Sequence, residues 1–236
     1  MSRANADELA IAGVVACSSV DWPGKLVATV FVQGCPWRCP YCHNHAIIDV
    51  TTPGKVPFSA VDELLAKRRG LLDGVVFSGG EPLRQPAIAD ALERVGEAGF
   101  GRGLHTAGPY PRRLRTLASE RALEWVGLDI KALPADYIDV AGSASAGRLA
   151  WESLDVVLDS GIDYEVRVTV YPKGPDPVAI GRELAKRGVA TVAVQRARER
   201  GAPEGFVACG PDWAASWART VESYRGFGFG TLIVRE

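Results

Sequence analysis

Val27-Ala28-Thr29-Val30-Phe31-Val32 runs straight into Gln33-Gly34-Cys35-Pro36-Trp37-Arg38-Cys39-Pro40-Tyr41-Cys42-His43-Asn44, and the join between the two stretches decides how the chain is read. The first stretch is short, apolar and β-branched, the pattern of a buried strand. The second is a polar loop stiffened by Pro36 and Pro40, which Gly34 lets leave the strand tightly. Strand-like runs recur at 75–77, 103–105, 126–130, 164–170 and 190–194, making six. Between them lie helical periods. Ile88, Ala91, Leu92 and Val95 share one face, and so do Val61, Leu64 and Leu65 behind a capping pair of Ser59 and Asp62. Further helices are expected over Pro111–Ser119, around Leu154, Val157 and Leu158, and from an Asp176-Pro177 start to a Gly188 stop. Trp213, Trp217, Val221 and Tyr224 form a last stripe, read as core packing, and 232–234 a closing strand.

Strand–helix alternation of this kind implies an α/β fold with a parallel sheet and right-handed crossovers. Six units are too few for a closed eight-stranded barrel. The expectation is a partial (β/α)6 TIM-like barrel, or an open sheet, formed by residues 1–236 as one domain. Either architecture puts an active site at the carboxyl ends of the strands. The polar clusters converge on that rim: 33–44 after the first strand, 78–82 after the second, Thr106 after the third and Lys131 after the fourth.

The formal net charge of −1 over 236 residues carries no electrostatic footprint of nucleic-acid or membrane binding. Arg112, Arg113 and Arg115 are the densest cationic group and read as a solvated helix face. Residues 1–10 are polar and acidic, unlike a signal peptide, and no apolar run is long enough to span a bilayer. A cytoplasmic location is expected, where disulfides are improbable. Of five cysteines, three fall in the spacing C-x3-C-x2-C. Three thiolates on one tight loop suit three irons of a [4Fe–4S] cube and leave the fourth iron open. Rival readings are c-type haem attachment through Cys39-Pro40-Tyr41-Cys42-His43, zinc on the three cysteines with His43 or His45, and a C-x-x-C redox pair. Cys17 and Cys209 are isolated and read as small buried apolar residues.

The cysteine spacing, with Tyr41 before the last cysteine, resembles the signature of the radical S-adenosylmethionine (SAM) superfamily. Ser78-Gly79-Gly80-Glu81-Pro82 resembles that superfamily's second motif. Asp21-Trp22-Pro23-Gly24-Lys25, Cys42-His43-Asn44, Gly127-Leu128-Asp129-Ile130-Lys131, Trp151-Glu152-Ser153-Leu154 and Tyr164-Glu165-Val166-Arg167 extend the likeness. They point to glycyl-radical-enzyme activases, above all the activating proteins of anaerobic ribonucleoside-triphosphate reductase. The resemblance covers roughly residues 20–172. It implies a [4Fe–4S] cluster on Cys35, Cys39 and Cys42 that chelates SAM at its open iron. A reduced flavodoxin or ferredoxin would deliver one electron. Reductive cleavage of SAM would then give methionine and a 5′-deoxyadenosyl radical, which takes hydrogen from a glycine of the partner enzyme.

Residue roles follow from the same resemblance. Ser78, Gly79 and Gly80 would let backbone groups approach the methionine end of SAM, the alternative for the glycines being an ordinary tight turn. Glu81 would fix that turn or accept a hydrogen bond, and Thr106 lies on the same rim. Tyr41 and His43 would face the adenine. Asp129 and Lys131 share one side of a strand, near the methionine carboxylate or the ribose, or else form a structural ion pair. Arg167 would reach the carboxylate or make a plain salt bridge. The third strand has His105 where the family often has an acidic residue that helps hold a monovalent cation; the expectation here is a neutral core histidine in place of such a site. A small-molecule enzyme similar to 7-carboxy-7-deazaguanine synthase is the alternative within the superfamily. A non-catalytic metal-binding protein is the alternative outside it, and such a protein would need none of Gly79, Gly80, Glu81, Asp129 or Lys131.

Overall fold

A computed structural model describes residues 4–236; Met1, Ser2 and Arg3, the start of the polar segment 1–10, lie outside the described residues. The elements run β1 (Ile11–Ser18), β2 (Val27–Val32), α1 (Phe58–Lys67), β3 (Gly74–Gly79), α2 (Ile88–Glu97), β4 (Gly101–Thr106), α3 (Pro111–Ser119) and β5 (Trp125–Asp129). They continue with α4 (Tyr137–Ala141), α5 (Ala146–Ser160), β6 (Asp163–Val170), α6 (Pro177–Lys186), β7 (Thr191–Arg196), α7 (Trp213–Gly226) and β8 (Thr231–Arg235). One sheet holds all eight strands in the order β1 to β8. β2 to β8 run parallel, and β1 alone lies antiparallel on β2. Six strand–helix units are present, from β2 to α7, with β8 as the closing strand and β1 as an edge that the sequence pattern did not show. β1 reads Ile-Ala-Gly-Val-Val-Ala-Cys-Ser and is half-exposed along most of its length, so neither a buried run nor a clean alternation marks it.

The two faces of the sheet differ in chemistry. Ala28, Val30, Val32, Val75, Phe77, Leu104, Val126, Leu128, Val166, Val168, Val192 and Val194 pack with the helices in one apolar core. The intervening residues on the other face include Thr29, Ser78, His105, Gly127, Asp129, Glu165 and Arg167. Alternation along each strand thus separates an apolar helix-bearing face from a polar inner one.

The floor of the inner face is closed by the loop between β1 and β2. Trp22 stacks on Trp125 with ring centroids 5.5 Å apart, and a Cβ on Gly103 would meet its ring at 2.9 Å. Asp21 accepts from Thr29 Oγ1 at 2.6 Å, and its carbonyl lies 2.7 Å from His105 Nε2. Above this floor the Glu165 carboxylate is wholly buried. It takes one hydrogen bond from Arg167 Nε (2.8 Å) and a bidentate pair from Arg235 Nη1 and Nη2 (2.7 and 2.8 Å). Arg167 also lies over the Trp125 ring at 5.5 Å, in the space that a side chain on Gly127 would take.

Helix starts divide between expectation and surprise. Asp176 caps α6 as read, accepting from the Val178 and Ala179 amides. The Ser59–Asp62 capping pair is not formed: Pro57 occupies the N-cap of α1, and Asp62 instead makes an ion pair with Arg94 of α2. Glu165→Gln removes the buried charge that compensates the nearly enclosed Arg167 and the partly exposed Arg235. It is expected to lower unfolding free energy by about 3–5 kcal/mol, measured by denaturant titration.

Candidate active site at the carboxyl ends of the strands

Gly34 leaves β2 at φ +89°, a left-handed conformation that glycine adopts without steric cost. Its amide and that of Cys35 donate to the carbonyls of Ile47 and Ile48 at 2.8 and 3.0 Å, closing 34–48 into a tight loop. Within it Cys39 is buried, Cys35 and Cys42 are partly exposed, and the Cys42 amide donates to the Cys39 carbonyl at 3.2 Å. The loop is held against the turn after β3. Gly79, at φ +100°, has the Val32 backbone where a Cβ would stand, and Gly80 has the Gly34 carbonyl there. The Gly80 amide donates to Val32 O and the Glu81 amide to Gly34 O, both at 2.9 Å. Asn44 Nδ2 donates to Gly79 O at 2.9 Å. The two glycines therefore serve contact between two loops, beyond an ordinary tight turn.

Glu81 extends this join to β4. One carboxylate oxygen accepts from the Leu83 amide (3.0 Å) and Thr106 Oγ1 (2.8 Å), the other from the Ala107 amide (3.0 Å). Burial pushes this carboxyl up to about 7, against the pull of those hydrogen bonds. Below it Ser78 Oγ lies 3.0 Å from His105 Nδ1. Burial, and then the neighbouring Arg167, holds His105 well below the usual imidazole range. His105 is thus a neutral interior histidine, bonded to Ser78 and facing the Asp21 carbonyl.

Asp129 and Lys131 meet as an ion pair, Nζ to Oδ2 3.2 Å. The ammonium is buried and lies 5.4 Å from the Tyr41 ring centre. Burial works against its charge, but Asp129 together with Tyr41, Cys39 and Tyr137 outweighs that burial and keeps Lys131 charged. Burial raises all three thiols, Cys35 to about 12, and Lys131 is the one cation that pulls against it at each of them. The Tyr41 hydroxyl is buried without a hydrogen-bond partner. His43 lies at the exposed mouth of the loop, and its partial desolvation lowers its imidazole below the ordinary value.

Arg167, for which the sequence left two readings open, makes the salt bridge: its partners are Glu165 and His105, and little of the side chain is exposed. The two isolated cysteines depart from the sequence reading. Cys17 and Cys209 are exposed, because one lies on the edge strand β1 and the other in the loop before α7. Three contributors went unread. Tyr137 accepts from the Lys131 amide at 2.9 Å and packs edge-on to Trp37. Tyr171 and Phe206 continue a ring stack from Tyr41, with centroids 4.7 and 5.9 Å apart. Tyr171 stands at the end of β6, so its rim position was the available signal; Phe206 and Tyr137 come from loop and helix segments with none.

Three thiols on one loop, soft ligands held protonated by burial until a metal displaces the proton, suit an iron–sulfur cluster. The partnerless Tyr41 hydroxyl and the charged Asp129–Lys131 pair beside them suit a polar cosubstrate. Among the described residues, no three His, Cys, Asp or Glu side chains converge on a single metal ion; a cube takes one thiolate per iron and holds them apart.

Comparison with known proteins agrees. The model of the radical SAM superfamily matches residues 29–208, and the chain belongs to that superfamily. Within it, the chain stands with the glycyl-radical-enzyme activating enzymes. It is 31% identical over 172 residues to the pyruvate formate-lyase-activating enzyme of Clostridium pasteurianum, covering 70% of each chain. It is 28% identical over 184 residues to MJ1227 of Methanocaldococcus jannaschii, provisionally named a glycyl-radical enzyme activating enzyme, covering 75% of this chain and 74% of that one. In fold it is similar to a radical SAM methyltransferase from Sphaerobacter thermophilus (TM-score 0.68, 19% identity, 90% of this chain and 67% of that one). It is also similar to Streptococcus suis SuiB bound to SAM (TM-score 0.64, 13% identity, 86% of this chain), of which it spans about half the length. The cofactors of the superfamily, a [4Fe–4S] cluster and SAM, are those of this chain.

The raised Glu81 carboxyl makes stability depend on pH. An unfolded glutamate titrates near 4.5 and the folded one near 7, so the folded state holds the proton more tightly. Its stabilising contribution is present below the unfolded value and lost as pH rises through the folded one. Denaturation midpoints measured across that window should fall for the native chain and change less for Glu81→Gln.

Proposed function

We propose that the chain activates a glycyl radical enzyme, anaerobic ribonucleoside-triphosphate reductase being the first partner to test. The observation that carries the reading is the likeness to activating enzymes over about 70% of both chains. The resemblance of residues 21–25, 42–44 and 127–131 to reductase activating proteins supports the choice of partner. The proposal sets the work in the cytoplasm, with a reduced flavodoxin or ferredoxin as electron source. No helix among the described residues is long and apolar enough to cross a membrane.

In this reading Cys35, Cys39 and Cys42 hold the cluster. Lys131 offsets the negative charge of the three thiolates, and its ion pair with Asp129 fixes the ammonium at the rim. Ser78, Gly79 and Gly80 present backbone to the methionine end of SAM. Glu81, tied to Thr106 and Ala107, keeps that turn from moving. Tyr41 and His43 flank the adenine, and Arg167 orders the wall beneath through Glu165. The bound cofactors supply one-electron cleavage of SAM and a carbon-centred radical able to take hydrogen from a glycine. The chain's own part is to hold the reactants in register and keep water away.

The test is anaerobic reconstitution with iron and sulfide, then incubation with SAM, dithionite and either the reductase or pyruvate formate-lyase. The expected results are 5′-deoxyadenosine by chromatography and a glycyl radical signal by electron paramagnetic resonance on one of the two partners. Cys35→Ala, Cys39→Ala or Cys42→Ala should abolish both. Formation of 5′-deoxyadenosine with no radical on either protein would overturn these partners and favour a small-molecule substrate. Failure to assemble a cluster would overturn the assignment of the cysteines.

A further inference from the structure

We propose that the rim formed by Arg84, Arg112 and Arg113 is the docking face for an acidic one-electron carrier protein. The proposal rests on the reading of Cys35, Cys39 and Cys42 as cluster ligands. It starts from α3, which is charged the wrong way round for a stable helix. Arg112 and Arg113 stand in its first turn, where there is no carboxylate, and Glu120 caps its other end. Helix dipoles favour the opposite placement. The arrangement therefore works against the helix and concentrates positive potential at its start.

Contacts place that potential beside the cysteine loop. Arg113 Nη1 donates to the carbonyls of Leu83 and Arg84 at 2.5 and 2.7 Å, and its guanidinium lies over the Tyr110 ring. Those bonds tie the start of α3 to the turn that follows Glu81. Arg84 covers Gly34, with Nε and Nη2 2.8 Å from where a Cβ on that glycine would stand. Gly34 is the residue before Cys35, and the Arg84 Nε is buried with no hydrogen-bond partner. Arg115, one turn along, pairs with Glu152 at 3.8 Å. Among the described residues, Arg84, Arg112 and Arg113 have no carboxylate at ion-pair distance, so their charge is left for another molecule.

The opposite end of the same face is acidic. Glu97 and Glu120 line a cleft of about 820 Å³ between α2 and α3, in which Glu124 is paired with Arg102. An acidic partner is repelled there and drawn to the arginine rim, which orients it with its redox centre toward Cys35. A phosphorylated small molecule would gain nothing from the distant acidic end, whereas an extended anionic protein surface senses both. The step served is a single electron transfer: the reduced carrier is oxidised by one electron, the cluster is reduced by one, and no bond is made or broken.

The test uses the reconstituted holoprotein and an acidic flavodoxin. Binding is measured by calorimetry at low and high ionic strength, for the native chain, Arg112→Glu, Arg112→Gln and a control on α7, Arg219→Glu. Arg112→Glu is expected to weaken binding about tenfold at low salt, with the difference shrinking at high salt. Arg112→Gln should fall between, and Arg219→Glu should match the native chain. Dithionite-driven 5′-deoxyadenosine formation should be unchanged in all, which separates this proposal from the cluster assignment. Equal binding by Arg112→Glu and the native chain at low salt overturns the proposal. So does an equal loss in Arg219→Glu, or a loss that persists with dithionite, which would assign the rim to SAM or to the radical-accepting protein.

Discussion

The carbonyl of Gly34 occupies the place where Gly80 would carry a side chain, and the rest of the site is arranged around that contact. It brings the cysteine loop and the turn after β3 together backbone to backbone. Two amide hydrogen bonds and the Asn44 side chain fix the register. The buried Glu81 carboxylate then carries the constraint across to β4 through Thr106 and Ala107. Three successive strand ends are locked by groups that have little rotational freedom. A site whose supports are backbone and short side chains holds its geometry better than one resting on long, mobile ones.

The inner face shows how a polar wall is kept stable inside an α/β fold. Each charge has a stated partner: Glu165 with Arg167 and Arg235, Asp129 with Lys131. The histidine between them is neutral because burial, and then the cation of Arg167 beside it, disfavours the imidazolium. The stack of Trp22 on Trp125 closes the floor beneath Glu165 and Arg167. Chemistry is thereby confined to the rim.

Much of this was legible in residue order, and the exceptions have physical causes. Runs such as Val27–Val32 are buried on both faces, so they read clearly as parallel strands. The Ser-Gly-Gly-Glu motif and the cysteine spacing announce themselves because few other arrangements require them. β1 was missed because an exposed edge strand carries small residues with no strong period. The Ser59–Asp62 pair failed because Asp62 found a cation, Arg94, on another helix, and local capping lost to a tertiary contact. Arg167 could be read either way, since a strand position does not say whether a guanidinium finds a carboxylate two residues back. Tyr137 and Phe206 reach the site from segments whose placement only the completed fold determines.

The ion pair between Glu165 and Arg235 has a consequence for the order in which the chain assembles. Strands neighbour one another in sequence order, so each strand–helix unit pairs with the one before it in the chain. Glu165 is the exception. Its bidentate partner arrives only with the last strand, so β6 carries an undercompensated charge until β8 is in place. The wall is therefore charge-balanced at Glu165 only when β6 and β8 stand together, which ties the closing strand to the middle of the sheet across seventy residues of chain.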